Sequence, residues 1–140
     1  MGSTVILTLN ACKRTNNDKY FYNPGRDTIA PSISVSVPKA LALYNYGQDI
    51  HFVGTVIDLE SKNKGGKLKE LNLTTQSVDA NGNVIKTYFV RTPNVDGKEG
   101  YTFNEKLLIP SGTGEALRFS VYASDYAGRS SVDTVYFSIN

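Results

Sequence analysis

The stretch Glu115 to Asn140, EALRFSVYASDYAGRSSVDTVYFSIN, decides the fold because two alternating strands flank one tight turn. In each strand the apolar side chains fall on one face and the polar side chains on the other, which is the period of a half-buried strand. The apolar faces comprise Leu117, Phe119, Val121 and Ala123 in the first strand and Val135, Phe137 and Ile139 in the second. Between them, Asp125 can accept backbone hydrogen bonds and Gly128 can take a positive φ. The stretch therefore predicts a β-hairpin that lays one face on a core.

Short alternating runs separated by turn-forming residues continue this pattern through the chain. Residues 31–38 begin and end with proline, which predicts an edge strand. In the strand predicted over 49–58, Gly54 marks a bulge or a close packing contact. Further strands are predicted over 68–78, 84–91 and 101–109, and 39–48 is interpreted as a crossing segment. The sequence predicts an all-β, antiparallel β-sandwich of about seven strands. Its predicted core contains Phe52, Leu73, Phe103, Phe119, Val121 and Phe137.

The closing hairpin resembles the last hairpin of bacterial immunoglobulin-like domains. The resemblance lies in Ala123-x-Asp125 at the end of one strand and in Ala127-Gly128-x-Ser130 in the turn, although Arg129 stands where family members usually have Asn. It extends more loosely over 27–140 through an opening D-x-x-x-P stretch and the strand spacing. The resemblance implies an immunoglobulin-like sandwich, a fold that serves adhesion, binding, spacer and carrier roles alike.

Composition argues against several classes of function. The 140 residues are about one domain, and a formal net charge of +2 with dispersed charges does not fit a nucleic-acid binder. No apolar run approaches the ~20 residues that span a bilayer. With one His and one Cys, the chain cannot build a zinc tetrad, and His51 lies within a predicted strand, where we expect it at the surface. No nucleophile elbow or phosphate loop is present, so we expect a protein that is not an enzyme.

A short apolar run before Cys12 indicates the end of a secretory signal. Leu9-Asn10-Ala11-Cys12 resembles the bacterial lipoprotein box, and this resemblance implies a diacylglycerol thioether on Cys12. It further implies a lipid-anchored protein of the bacterial cell envelope, at the outer membrane. No Lys or Arg precedes Lys13, so we expect the signal to be incomplete. The alternative is a short first strand with a buried thiol.

Three segments follow from this interpretation. Residues 1–11 are the remnant of the signal peptide, with a cloning scar at Met1-Gly2-Ser3. Residues 12–28 form a tether, and residues 29–140 form the immunoglobulin-like domain.

Four acidic residues are candidates for a structural calcium site. In an immunoglobulin-like sandwich, the start of the first strand, the second-to-third loop and the last turn share one end, which would bring together Asp27, Asp58, Glu60 and Asp125. Carboxylates from several loops are what calcium requires. The alternative is that Asp58 and Asp125 cap their own turns and no cation binds.

These features predict a cell-surface module for binding or adhesion, with a glycan or protein ligand. The alternative is a structural spacer or assembly subunit of a larger surface complex. Tyr44 and Tyr46 are candidate ligand contacts because they lie in a segment predicted as a loop. Tyr122 and Tyr136 are candidates on the outward faces of adjacent strands, where we expect them to lie near each other and where they could serve the sheet instead.

Overall fold

A computed structural model describes residues 29–58, 67–108 and 115–140. The predictions for the signal remnant, the tether, Cys12 and Asp27 lie outside these residues, as does the prediction for Glu60. In the described ranges, no helix has the length and apolar character needed to span a membrane.

Eight strands form in the described residues, and seven of them lie where the alternating pattern predicts a strand. They are β1 (Ser32–Val37), β2 (Ala42–Tyr44), β3 (Asp49–Ile57), β4 (Leu68–Val78), β5 (Val84–Arg91), β6 (Gly100–Leu108), β7 (Glu115–Asp125) and β8 (Ser130–Ile139). The prediction of an all-β fold is confirmed. The eighth strand, which the sequence did not predict, is β2, and it lies within the segment 39–48 that was interpreted as a crossing segment.

The strands form two sheets, with the orders β1-β3-β6 and β2-β8-β7-β4-β5. Neighbouring strands run antiparallel except β2 and β8, which pair in parallel. A three-residue strand is too short to show a period of two, which is why the sequence did not reveal it. The predicted edge position of β1 is confirmed, because β3 is its partner on one side and no described strand lies on the other.

The inward faces of the two sheets share one apolar core. All six residues predicted for this core are confirmed there, and none is more than 3% exposed. Phe52 lies at its centre, where its ring centroid is 4.6 Å from that of Phe119, 5.3 Å from that of Phe89 and 6.1 Å from that of Phe137. Buried phenylalanine rings contribute most of the stability of a small core. The predicted close packing at Gly54 is also confirmed, since the ring of Phe103 lies directly against it.

Two aspartates cap the turns predicted from sequence. Asp79 Oδ1 accepts hydrogen bonds from the backbone N–H groups of Asn81 and Asn83, at 2.8 and 2.9 Å. Asp125 Oδ1 does the same for Ala127 and Arg129, at 3.0 and 2.8 Å. Each carboxylate thereby satisfies donors that the turn takes out of the sheet.

Candidate functional site

The two tyrosines of the segment 39–48 point to different environments. Tyr44 belongs to β2 and turns its ring toward the core, where it meets Phe137 edge-on with centroids 5.7 Å apart. Burial raises the pKa of its phenol. Tyr46 follows in a turn and is 61% exposed, while its backbone N–H donates to the carbonyl of Asn140 at 3.2 Å. Tyr44 therefore lies in a strand with its ring partly buried and not in the loop predicted for it, whereas Tyr46 keeps the exposed position that a ligand contact needs.

Tyr122 and Tyr136 share the outer face of the five-stranded sheet but do not meet. Tyr122 lies opposite Val132, whereas Tyr136 lies opposite Arg118. This offset of four residues along the strands corresponds to about 13 Å. The expectation that the two rings lie near each other is wrong. The turn at 125–129 sets the register of the hairpin, and in this register the two tyrosines are not cross-strand neighbours.

The structure instead brings Tyr136 beside β2, where exposed apolar side chains gather. We call this region the β2 surface, and its members are Leu41 (83% exposed), Leu43 (64%), Tyr46 (61%) and Tyr136 (46%). The N–H of Leu41 donates to the carbonyl of Tyr136 at 2.7 Å, and Leu43 lies opposite Ser138. Both leucines were missed from sequence, because β2 is too short to show a period of two and the segment was interpreted as a crossing.

Leu41 adopts a backbone conformation that bulky residues avoid. Its φ is 62°, in the left-handed region, where an L-residue carries a cost of roughly 1–2 kcal/mol. Hydrogen bonds on both sides hold it, from Leu41 N–H to Tyr136 and from Ala42 N–H to Lys39. Backbone strain concentrates at functional positions, and here it directs an apolar side chain into solvent.

Of the four acidic candidates, two lie in the described residues and share one end of the sandwich. Asp58 and Asp125 are both buried. The N–H of Asp58 donates to the carbonyl of Glu99, the N–H of Leu68 donates to the adjacent Lys98, and Leu68 lies opposite Asp125. One carboxylate oxygen of Asp125 is buried without a hydrogen bond. In the described ranges, however, no three His, Cys, Asp or Glu side chains converge as metal ligands. The calcium site stays a prediction.

His51 lies exposed on the outer face of β3, opposite Lys106. Its predicted surface position is confirmed.

Comparison with known proteins supports the fold. No protein-family model and no curated protein matches this sequence. Among solved structures, the sporulation control protein Spo0M from Bacillus subtilis matches at 11% identity with a TM-score of 0.51, over 80% of this chain and 50% of that chain. Fibronectin(III)-like modules of Clostridium thermocellum CbhA match at 16% identity with a TM-score of 0.47, over 80% of this chain and 47% of that chain.

The CARDB domain of the PF1109 protein from Pyrococcus furiosus, solved in complex with di-metal ions, matches at 13% identity with a TM-score of 0.44. That match covers 79% of this chain and 90% of the domain. This chain spans about half the length of the Spo0M and CbhA structures. At such identities the likeness concerns the fold alone, and it agrees with a β-sandwich of two sheets.

Proposed function

We propose that this chain is a non-enzymatic binding or adhesion module of the bacterial cell surface, and that its β2 surface contacts a protein ligand. The observation that carries the proposal is the gathering of Leu41, Leu43 and Tyr136 on one sheet edge, with Tyr46 beside them. Contiguous exposed apolar side chains mark interaction sites on soluble domains.

The composition of the β2 surface favours a protein over a glycan. Sugar recognition relies on aromatic rings together with polar groups in a depression, whereas Leu41 and Leu43 are aliphatic and lie exposed just before and within an edge strand. Apolar side chains of this kind gain free energy by entering the core of a protein interface, surrounded by a polar rim. Tyr46 and Tyr136 add rings with a hydroxyl that can bond at that rim.

The lipid anchor supplies the cellular location in this proposal. Leu9-Asn10-Ala11-Cys12 matches the lipoprotein box at its first, third and last positions, and residues 13–28 would separate the lipid from the domain. Acyl chains on Cys12 would hold the module at a membrane surface, with the outer membrane as the expected site. The β2 surface would then be available to partners on the same or another cell.

The proposal is tested with the immobilised full chain, exposed in parallel to bacterial and host surface extracts and to a glycan array. The double variant Leu41→Ser, Leu43→Ser should bind the captured protein at least tenfold more weakly, because burying each leucine contributes roughly 1.5–3 kcal/mol. Ile85→Ser is the matched control, since Ile85 is 60% exposed on β5 at the other edge of the same sheet. Tyr44→Ala is unsuitable, because its ring packs on Phe137.

Three outcomes would contradict the proposal. A ligand whose affinity is the same for wild type and the Leu41, Leu43 variant binds elsewhere on the domain. A ligand found only on the glycan array contradicts the protein partner. If neither assay yields a ligand, the role of a structural spacer or assembly subunit replaces that of a binding module.

A further inference from the structure

In the part of the chain that the structure describes, the two sheets have four edges, and three of these edges carry features that hinder pairing with another chain. β1 lies between Pro31 and Pro38 and has a register irregularity at Val35/Val37. β2 is only three residues long. β5 has two irregularities against β4. Short length, prolines and bulges are the means by which natural sheets protect their edges.

The fourth edge, β6, lacks these features. All nine residues of Gly100–Leu108 pair with β3 without a break in register, and the strand contains no proline. Among the described strands, β3 is its one partner, so no described strand pairs with the backbone N–H and C=O groups on its opposite side. A regular strand with an open side is a template for another strand.

We propose that the β6 edge binds the β6 edge of a second copy of this chain. The two strands run antiparallel about a two-fold axis at Asn104, so that the sheet β1-β3-β6 continues into its copy. Such an interface uses the same surface on both partners and closes at two subunits.

The sequence of β6 is self-complementary about Asn104. On the core-facing side, this register places Tyr101 opposite Leu107 of the second copy and Phe103 opposite Glu105. On the outer side it places Thr102 opposite Lys106 and Asn104 opposite itself. No like charges face each other, and an aromatic–aliphatic pair occurs twice, which stabilises antiparallel strands. Tyr101 and Leu107 are half-buried, so their exposed portions become covered.

Other registers are less favourable. A side chain stays on the same face of the sheet only when the pairing of the two strands shifts by two residues. An axis at Glu105 would set two glutamates directly opposite each other, and an axis at Phe103 would leave Leu107 and Leu108 without partners. The small net charge of +2 opposes association only weakly. A second copy is therefore favoured over an unrelated extended peptide, which has no reason to match this pattern.

A cross-linking experiment tests the register directly. In the full chain with Cys12→Ser, Asn104→Cys should form a disulfide-linked dimer, because residues directly opposite in antiparallel strands have Cα atoms about 4.5–5.5 Å apart. Thr102→Cys is the control: the same register separates the two copies of residue 102 by about 13 Å, beyond disulfide reach. Cross-linking at 102 but not at 104, at both positions alike, or at neither overturns the proposal.

A charge series tests the same contact by sedimentation equilibrium. Thr102→Glu places an acid opposite Lys106 twice per dimer and should tighten dimerisation roughly 2- to 30-fold, whereas Thr102→Lys should weaken it by a similar factor. Ser34→Lys, an equal charge change on exposed β1, should leave the dimer unchanged. A chain that stays monomeric at millimolar concentration, or a dimer that responds to Ser34→Lys and not to residue 102, refutes the β6 edge as the interface.

Discussion

Replacing Gly54 with alanine tests how closely β3 packs at this residue. Gly54 lies between Val35 of β1 and Phe103 of β6. A Cβ atom at residue 54 would lie 2.4 Å from Cζ of Phe103 and 2.5 Å from the backbone oxygen of Ser34. Both distances are far below van der Waals contact. The phenyl ring can rotate only into a filled core, and the carbonyl belongs to a strand paired with β3.

The magnitude follows from two opposing effects. Overpacking costs typically 1–3 kcal/mol, and a clash with both a buried ring and a backbone atom belongs near the upper end, at about 3 kcal/mol. The φ of Gly54 is not positive, so alanine recovers about 0.5–1 kcal/mol of chain entropy there. The expected net loss is therefore about 2 kcal/mol, or roughly 8 °C in Tm for a domain of this size.

Thermal and urea unfolding of Gly54→Ala measure this loss. Gly82→Ala is the control, because Gly82 has a φ of 84° and open space around its Cβ position, so its cost of about 1 kcal/mol comes from the backbone alone. Adding Phe103→Leu to Gly54→Ala should show favourable coupling, since the ring is half of the clash. A Gly54→Ala variant as stable as wild type, or less affected than Gly82→Ala, would refute the packing argument.

Four further predictions concern stability, acid titration and location. Phe119→Ala, at a residue with no exposed surface, should cost about 3–5 kcal/mol in urea unfolding; a loss below about 1 kcal/mol would contradict its central position. The backbone N–H of Asn83, with further hydrogen bonds, holds the pKa of Asp79 below its ordinary 3.8. Its contribution to stability is present above that ordinary value and is lost as pH falls through the lower folded value. The Tm difference between wild type and Asp79→Ala should therefore shrink below about pH 4, and a constant difference would contradict the linkage. With a complete signal peptide, Cys12→Ser should release the protein from membranes; retention of the variant after a carbonate wash would rule out lipidation at that residue. Millimolar calcium should raise the Tm of wild type but not of Asp125→Ala if a cation binds between the buried acids, and an unchanged wild-type Tm discards the site.

The two proposed contacts lie on opposite sides of the sandwich and can operate together. On one side, β1 meets β8 through the hydroxyl of Ser131, which donates to the carbonyl of Pro31 at 2.6 Å. On the other side, Arg91 of β5 pairs with Glu105 of β6, with N and O atoms 3.6 Å apart. The β2 surface belongs to the first side and the β6 edge to the second. A dimer would thus present two β2 surfaces, which raises avidity for a partner with repeated sites.

The sequence alone determined seven of the eight described strands and six residues of the core. The alternation around Phe119 and Phe137 is a local property, because successive side chains of an extended chain point to opposite faces, and one apolar face must leave water. The turns at Asp79 and Asp125 could also be predicted from local sequence, because each carboxylate accepts hydrogen bonds from backbone N–H groups within four residues of it. The lipoprotein box and the candidate calcium ligands also came from sequence, and their tests are experimental.

Only the tertiary structure decided which side chains meet. Leu43 and Tyr44 must point to opposite faces of β2, but only the pairing of β2 with β8 decides that Tyr44 faces the core and Leu43 faces solvent. The register of the last hairpin separates Tyr122 from Tyr136. Such contacts depend on hydrogen bonds between strands that are distant in sequence, and a one-residue change in that pairing would move every side chain to the opposite face. Alternation fixes the face of a residue within its strand, but the neighbours across the sheet are set by the whole fold.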